Sequence, residues 1–155
     1  MKNWPRRYLG CLVINMTWKP KIIAFTCWCS SSGVDQAGFE GFKYPPNVLT
    51  IRVPCSAVVN PSLVVKALEE GADAVLLTAC KPTELRRIAP SRITEARVSL
   101  LRRLLKTVGV EEERVRILWI SSNEGGVFSR EVSKIVSEVE KLGPLNLRRR
   151  MLEQT

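Results

Sequence analysis

The sequence contains no histidine among its 155 residues. An imidazole is needed for proton transfer in Ser-His-Asp triads and Cys-His pairs, and for metal binding in HExxH metalloproteases, zinc deaminases and two-histidine iron sites. These classes of catalytic site are therefore excluded. Aromatic residues are also sparse, at 6%. The sequence has no recognised nucleic-acid-binding motif and no pattern of aromatic residues suited to base stacking, so we expect no nucleic-acid partner.

Acidic residues are in the minority, since 15 Asp and Glu stand against 24 Lys and Arg and give a formal net charge of +9. This excess favours an acidic partner surface or a polyanion. Long apolar runs are missing too. Tyr8–Ile14 is too short for a membrane span, and no small-residue cleavage site follows it. Met16 is an alternative start of translation, so we expect residues 1–18 to be an extension outside the folded domain.

Five cysteines are present, an odd number in a chain without a secretory profile. Such a count favours free thiols or metal ligands over a disulfide framework, and it indicates a reducing compartment, which we take to be the cytoplasm. Cys11 lies in the extension and is set aside. The other four cysteines are considered below with the predicted strands.

From Pro20 onward the chain alternates strand-like and helix-like patterns. Its 17.4 kDa and 45% apolar content predict one domain with a buried core. Strands are predicted at Lys21–Thr26, Val48–Val53, Ala74–Ala79 and Val115–Ile120, and helices at Ser62–Glu70, Arg92–Val108 and Val127–Leu142. The connection after the first strand has room for one short helix. This order predicts an α/β domain over residues 19–144, a four-stranded parallel sheet with helices on both faces, similar to flavodoxin and Rossmann folds. Residues 145–155 are predicted to be a basic tail.

Apolar residues recur at helical spacing in two of the predicted helices, which indicates that one face of each is buried. In the longer middle helix they are Val98, Leu101, Leu104, Leu105 and Val108, with arginines opposite. In the last helix they are Phe128, Val132, Ile135, Val136 and Val139.

Four cysteines follow predicted strands at the points where the strands end. Cys27 and Cys29 follow the first strand, Cys55 the second, and Cys80 the third. Because parallel strands all end at the same edge of a sheet, we expect these thiols to converge on one rim, where open α/β folds place their ligands. Four nearby thiolates repel each other unless a cation offsets their charge. We therefore expect this rim to carry either protonated, inert thiols or a metal centre.

Ligation by four thiolates is typical of an iron–sulfur cluster or of tetrahedral zinc. Structural zinc normally uses pairs of cysteines separated by two to four residues. Cys27-Trp28-Cys29 has one intervening residue and the other two cysteines stand alone, so zinc is the second choice. A redox-active dithiol is the third, because its usual motif has two residues between the cysteines. Any single cysteine could also simply fill the core, although three consecutive strand ends argue against that.

Several short segments carry a resemblance to a known family. They are Pro20–Phe25, Trp28–Ser30, Tyr44–Val48, Arg52–Val53, Cys55–Ser56, Asn60–Pro61, Gly71–Asp73, Arg97–Val98, Arg114–Arg116 and Trp119–Ser121. With them the chain resembles the delta subunit of methyl-viologen-reducing hydrogenase, an iron–sulfur protein of heterodisulfide reductase-associated complexes. The resemblance implies a non-catalytic subunit with a 2Fe-2S cluster on Cys27, Cys29, Cys55 and Cys80. It also implies that electrons pass between the small subunit of a hydrogenase and the flavin-containing subunit of heterodisulfide reductase.

The chain departs from the family pattern at two clusters. The Cys27–Cys29 segment is one residue shorter than usual, and the segment from Cys80 to Arg86 lacks the second cysteine and both histidines of the family. These departures leave open whether the site holds 2Fe-2S, another metal, or nothing. A family member without a cluster would act as an assembly scaffold.

Two further segments bear on function. Lys81, Arg86 and Arg87 follow Cys80, where positive charge would stabilise a reduced cluster or guide an acidic partner, with a solvated loop as the alternative. Asn123–Gly126 precedes the last helix and could bind phosphate through backbone N–H groups. The latter keeps a flavodoxin-like flavin- or nucleotide-binding protein open as an alternative function, although an ordinary loop explains the glycines as well.

Overall fold

The computed structural model describes residues 18–82 and 89–147. The strands are β1 (Ile22–Cys27), β2 (Val48–Val53), β3 (Ala74–Ala79) and β4 (Val115–Trp119), and the helices are α1 (Trp28–Phe39), α2 (Pro61–Glu69), α3 (Ala89–Thr107) and α4 (Gly125–Leu142). The strands form one sheet in the order β2-β1-β3-β4, and each neighbouring pair is parallel. The predicted α/β domain with a four-stranded parallel sheet is confirmed.

Helices cover both faces of this sheet, as predicted. On one face, Val64 and Leu68 of α2 share a core cluster with Val98, Leu101 and Leu105 of α3. On the other face, Ala37 of α1 lies in a second cluster with the predicted apolar face of α4, which is Phe128, Val132, Ile135, Val136 and Val139. Since β1 and β3 lie in the middle of the sheet, their side chains are buried almost throughout.

The ends of α2 show how the sequence sets the limits of an element. The Asn60 side chain accepts a hydrogen bond from the Ser62 N–H at 2.9 Å, and Pro61 occupies the first helical position. Both features favour a helix start. Gly71 follows the helix with φ of +103°, a conformation that side chains other than glycine rarely adopt.

The middle helix differs from the prediction on its apolar face. Val98, Leu101 and Leu105 of α3 are buried, whereas Leu104 is 56% exposed and Val108, just after the helix, is 43% exposed. The expected burial of Leu104 and Val108 is therefore wrong. Periodicity identifies the stripe that faces the protein, but the width of that stripe depends on how much of the helix its neighbours cover.

Two other segments differ from the sequence-based description. The connection after β1, where one short helix was expected, forms the 12-residue helix α1, which begins at Trp28. At the other end of the chain, Leu145 and Leu147 are 1% and 3% exposed and belong to the α2–α3 core cluster. Packed structure thus continues past residue 144, where the tail was expected to begin.

Some predictions fall on residues outside the described ranges. They concern the extension up to residue 17, with Cys11 and Met16, the loop residues Arg86 and Arg87, and the basic residues from 148 onward. Among the described helices, none combines the length and the hydropathy that a membrane-crossing segment requires.

Candidate functional site

Cys27 connects β1 to α1 and places its sulfur at the carboxyl edge of the sheet. It is the last residue of β1 and also the N-cap of α1, so its side chain turns back over the first helical turn. The Ser30 N–H donates to the Cys27 Sγ at 3.4 Å, and the Ser30 Oγ lies 3.1 Å from the same sulfur. Cys27 is 2% exposed. The sulfur is therefore held in a fixed position by the start of the helix.

Cys80 brings a second sulfur to this position from the neighbouring strand. It directly follows β3, which pairs with β1, and its Sγ lies 3.4 Å from the Cys27 Sγ. Burial raises the pKa of the Cys80 thiol well above its usual range, and hydrogen bonding and charge from Cys27 and then Cys29 raise it further. Ionising Cys80 beside other thiolates is thus costly unless a cation offsets the charge.

Cys29 adds a third sulfur to the same neighbourhood. It lies in the first turn of α1, is exposed to solvent, and acts on the Cys80 pKa through both a hydrogen bond and charge. The start of α1 and the end of β3 therefore bring Cys27, Cys29 and Cys80 close together. This agrees with the expectation that thiols following parallel strands meet at one edge of the sheet.

Cys55 lies on the same edge of the sheet, where it follows β2. Val53, at the end of β2, is in register with Cys27, and Cys55 follows two residues later as the N-cap of a short 3-10 helix, Ser56–Val58. Its side chain is partly exposed. In the described part of the chain, its sulfur makes none of the contacts that join the other three. The structure thus places Cys55 at the predicted rim without bringing it to the other sulfurs.

Across residues 18–82 and 89–147, no set of three or more Cys, Asp or Glu side chains is arranged so that it could hold a metal ion. The neighbouring sulfurs of Cys27, Cys29 and Cys80 do not form such a set by themselves. The assignment of Cys27, Cys29, Cys55 and Cys80 as cofactor ligands stays a prediction.

Two polar residues behind Cys27 were missed by the sequence analysis. The Ser30 Oγ lies 2.9 Å from the Thr78 Oγ1, and both residues are completely buried. A signal for each exists in the sequence. Ser30 is three residues after Cys27, the spacing at which a capping side chain reaches a backbone N–H. Thr78 carries the single hydroxyl in the otherwise apolar β3 segment.

An ion pair joins the residue after Cys80 to the N-cap of α4. The Lys81 Nζ lies 2.5 Å from one Glu124 carboxylate oxygen, and the other accepts a hydrogen bond from the Ser121 N–H at 2.9 Å. The hydrogen bond from Lys81, followed by that from Ser121, holds the pKa of Glu124 below its usual range. Lys81 therefore has an acidic partner within the chain.

The turn before α4, which could bind phosphate by its sequence, packs against α1. A Cβ added at Gly125 would lie 2.6 Å from the Ala37 backbone N, so only glycine allows the two helices to approach this closely. The Gly125 N–H donates to the Gln36 side-chain oxygen at 3.2 Å. Helix packing therefore explains Gly125, and the phosphate-binding interpretation of this turn stays a prediction.

Several known proteins are similar to this chain. The vhc iron-sulfur subunit of the F420-non-reducing hydrogenase from Methanococcus voltae is 39% identical over 132 residues, which cover 84% of this chain and 92% of that protein. The iron-sulfur subunit of the F420-non-reducing hydrogenase from Archaeoglobus profundus is 38% identical over 133 residues, 85% of this chain and 97% of that protein.

A longer protein is also similar to this chain. It belongs to the Ferredoxin/F(420)H(2)-dependent CoB-CoM heterodisulfide reductase of Methanosarcina acetivorans, and it is 40% identical over 127 residues, which cover 81% of this chain. This chain spans only 16% of the length of that relative. The family model for the delta subunit of methyl-viologen-reducing hydrogenase matches residues 22–143, which include the whole sheet and all four rim cysteines. The chain belongs to the methyl-viologen-reducing hydrogenase delta subunit family.

Proposed function

We propose that the chain is a non-catalytic electron-transfer subunit whose cysteine rim holds a 2Fe-2S cluster. The observation that carries this proposal is the convergence of Cys27, Cys29 and Cys80, with 3.4 Å between the Cys27 and Cys80 sulfurs. Relatives that this chain covers almost completely are named iron-sulfur subunits. A cluster bound at this rim would supply one-electron redox chemistry.

The sulfur atoms at the rim are suitable ligands for an iron centre bound by thiolates. Sulfur is the soft ligand that iron–sulfur clusters use, and the absence of histidine leaves cysteine as the ligand type expected for iron here. Cys27, Cys29 and Cys80 would hold the cluster, and Cys55, on the adjacent strand end, would be the fourth ligand.

The names of the relatives suggest where the electrons come from and go to. Some are subunits of F420-non-reducing hydrogenases, and others are subunits of heterodisulfide reductases. We therefore propose that this chain relays electrons between a hydrogenase small-subunit-like protein and a heterodisulfide reductase flavoprotein-like subunit.

A second candidate function is a scaffold without a cluster, which would join the same subunits. The position of Cys55 favours it, since the described structure joins three sulfurs and a four-thiolate site needs a fourth. In that case the Cys27–Cys80 contact is the packing of two protonated thiols.

Iron and acid-labile sulfide analysis of anaerobically purified protein separates the two functions. We expect about two iron and two sulfide per chain, a brown colour, and an EPR signal after reduction, as for a 2Fe-2S protein. Cys27→Ser, Cys29→Ser and Cys80→Ser should each lose most of the iron, and loss of iron in Cys55→Ser would establish the fourth ligand. Cys11→Ser, at the fifth cysteine, is the matched control and should keep wild-type iron.

The opposite results would contradict the proposal. Colourless wild-type protein that still binds its partner subunits would indicate the scaffold. Stoichiometric zinc without iron would remove the electron-transfer role, since zinc has no redox chemistry under these conditions. A yellow protein that releases a fluorescent flavin would support the flavodoxin-like alternative.

A further inference from the structure

A buried chain of two hydroxyl groups leads from the end of β3 to the sulfur of Cys27. The Thr78 Oγ1 lies 2.9 Å from the Ser30 Oγ, which in turn lies 3.1 Å from the Cys27 Sγ. Ser30 and Thr78 are 0% exposed and Cys27 is 2% exposed, so water does not compete for these bonds. The Ser30 N–H also points to the same sulfur, at 3.4 Å.

The direction of these hydrogen bonds follows from the charge of the sulfur. Ser30 has one hydroxyl proton and three acceptors within reach, namely the Cys27 sulfur, the Cys27 carbonyl oxygen at 3.1 Å, and the Thr78 hydroxyl. A cysteine that binds a metal is a thiolate, which accepts hydrogen bonds and cannot donate them. A charged acceptor forms the stronger bond. With Cys27 as a ligand, Ser30 therefore donates to the sulfur, and Thr78 donates to the Ser30 oxygen.

We propose that Ser30, oriented by Thr78, is a positioning residue that raises the reduction potential of the bound centre by donating a hydrogen bond to the Cys27 sulfur. The inference rests on the proposed function, because it requires Cys27 to be a ligand. Reduction adds an electron to a thiolate-bound centre and increases the negative charge on its sulfurs. A donor aimed at one of these sulfurs stabilises the reduced form more than the oxidised form.

Two substitutions weaken the hydrogen bond from Ser30 to the Cys27 sulfur in different ways. Ser30→Ala deletes the hydroxyl that faces the sulfur, while Thr78→Val deletes the hydroxyl that orients it and keeps the shape of the side chain. The matched control is Ser31→Ala. Ser31 is also buried in the first turn of α1, but its hydroxyl donates to the Trp28 carbonyl oxygen at 2.7 Å.

The experiment is a redox titration of the cluster-loaded protein, followed by EPR under anaerobic conditions. We expect the midpoint potential to fall most in Ser30→Ala, less in Thr78→Val, and not at all in Ser31→Ala. Thr78→Ser, which returns a hydroxyl, should recover the wild-type value. Resonance Raman spectra should show a change in the iron–sulfur stretching region for Ser30→Ala and none for Ser31→Ala.

The outcomes separate this inference from the proposed function. If the wild-type protein holds no iron–sulfur cluster, both are overturned. If it holds one and the potentials of Ser30→Ala and Thr78→Val equal that of Ser31→Ala, the inference alone is overturned. If Ser30→Ala loses its iron, Thr78→Val decides, since a lowered potential supports the inference and an unchanged one overturns it.

Discussion

Arg114 is completely buried, an unusual position for a charged side chain. Its guanidinium donates to the Glu111 carboxylate at 2.6 Å and to the carbonyl oxygens of Asp73 at 3.0 Å and Gly143 at 2.9 Å. A buried guanidinium is tolerated where its charge and its N–H groups are satisfied in this way. These bonds tie the start of β4 to the residue before β3 and to the end of α4.

We expect Arg114→Leu to lower the free energy of unfolding by about 1–3 kcal/mol for each buried carbonyl oxygen that loses its hydrogen bond. The loss of stability has a physical cause: the carbonyl oxygens of Asp73 and Gly143 both lose the guanidinium N–H groups that donate to them. Urea unfolding followed by far-UV circular dichroism measures the change. Arg130→Leu is the control, since the Arg130 side chain is 71% exposed, and it should change the free energy by less than about 0.5 kcal/mol. Equal values for the two variants would contradict the structural role of Arg114.

At the level of single residues, the sequence predicts the cysteines of the site better than their surroundings. Cys27 and Cys80 are found because each follows a recognisable strand and parallel strands end together. Ser30 and Thr78 are 48 residues apart in the chain, and only the pairing of β1 with β3 makes them neighbours. Whether Cys55 contacts the other sulfurs depends on the path of the chain between the end of β2 and the short 3-10 helix Ser56–Val58, which strand periodicity does not predict.

Among the elements, the position of α1 relative to α4 matters most for the cysteines, because α1 carries Cys29 and has Cys27 as its N-cap. The two helices approach closely where α1 passes the residues before α4. A Cβ at Gly33 would lie 2.8 Å from the Ser121 carbonyl oxygen, and one at Gly125 would lie 2.6 Å from the Ala37 backbone N. The two glycines therefore fix the distance between α1 and the start of α4.

We expect Gly125→Ala to destabilise the fold by about 1–3 kcal/mol, the usual cost of overpacking, because backbone atoms of α1 cannot move aside as a side chain could. Gly126→Ala is the control. Its added Cβ would meet only the Phe42 ring, at 3.4 Å, and alanine is favoured over glycine in a helix by about 1 kcal/mol. Thermal and urea unfolding of both variants should thus show a loss for the first and no loss for the second. The reverse order would refute the close approach of the helices.

The elements themselves were predicted to different degrees. The bounds of β2 and β3 agree with the prediction. The β3 segment is an almost continuous apolar run, which is characteristic of a buried strand in a parallel sheet. The β2 segment lies at the edge of the sheet and is rich in β-branched residues, which favour a strand. Helix α1 was not predicted as a full helix, because its buried residues are Ser30, Ser31, Gly33 and Ala37. Small and polar side chains give no apolar periodicity, so only the packing against α4 reveals that this face is buried.

On the scale of the whole molecule, the candidate site and the bonds around Arg114 lie at opposite edges of the sheet. The cysteines follow the strands, whereas Asp73 and Arg114 directly precede β3 and β4. Asp73 also accepts hydrogen bonds from the N–H groups of Lys21 at 2.8 Å and Leu145 at 3.0 Å. A six-residue strand spans roughly 20 Å. Changes at the amino edge should therefore affect stability without disturbing the cysteines.

A substitution at Leu145 tests whether stability can be lowered without disturbing the cysteines. Leu145 lies in the core, beyond the expected end of the domain. It is 1% exposed and packs in the cluster of α2 and α3. Leu145→Ala should lower the free energy of unfolding by about 2–5 kcal/mol, because the deleted side chain leaves a cavity. Leu104→Ala is the control, as Leu104 is 56% exposed although its periodicity predicts burial, and its change should stay below about 1 kcal/mol.

Both leucine variants should keep the iron content of the wild-type protein, which is measured on the same anaerobic preparations. Loss of stability in Leu145→Ala with unchanged iron would show that the two edges are energetically separate. Loss of iron in proportion to stability would instead mean that the cysteine rim depends on packing throughout the core, and it would contradict the separation. A larger loss of stability in Leu104→Ala than in Leu145→Ala would contradict the observed face of α3, because a half-exposed leucine leaves little cavity behind.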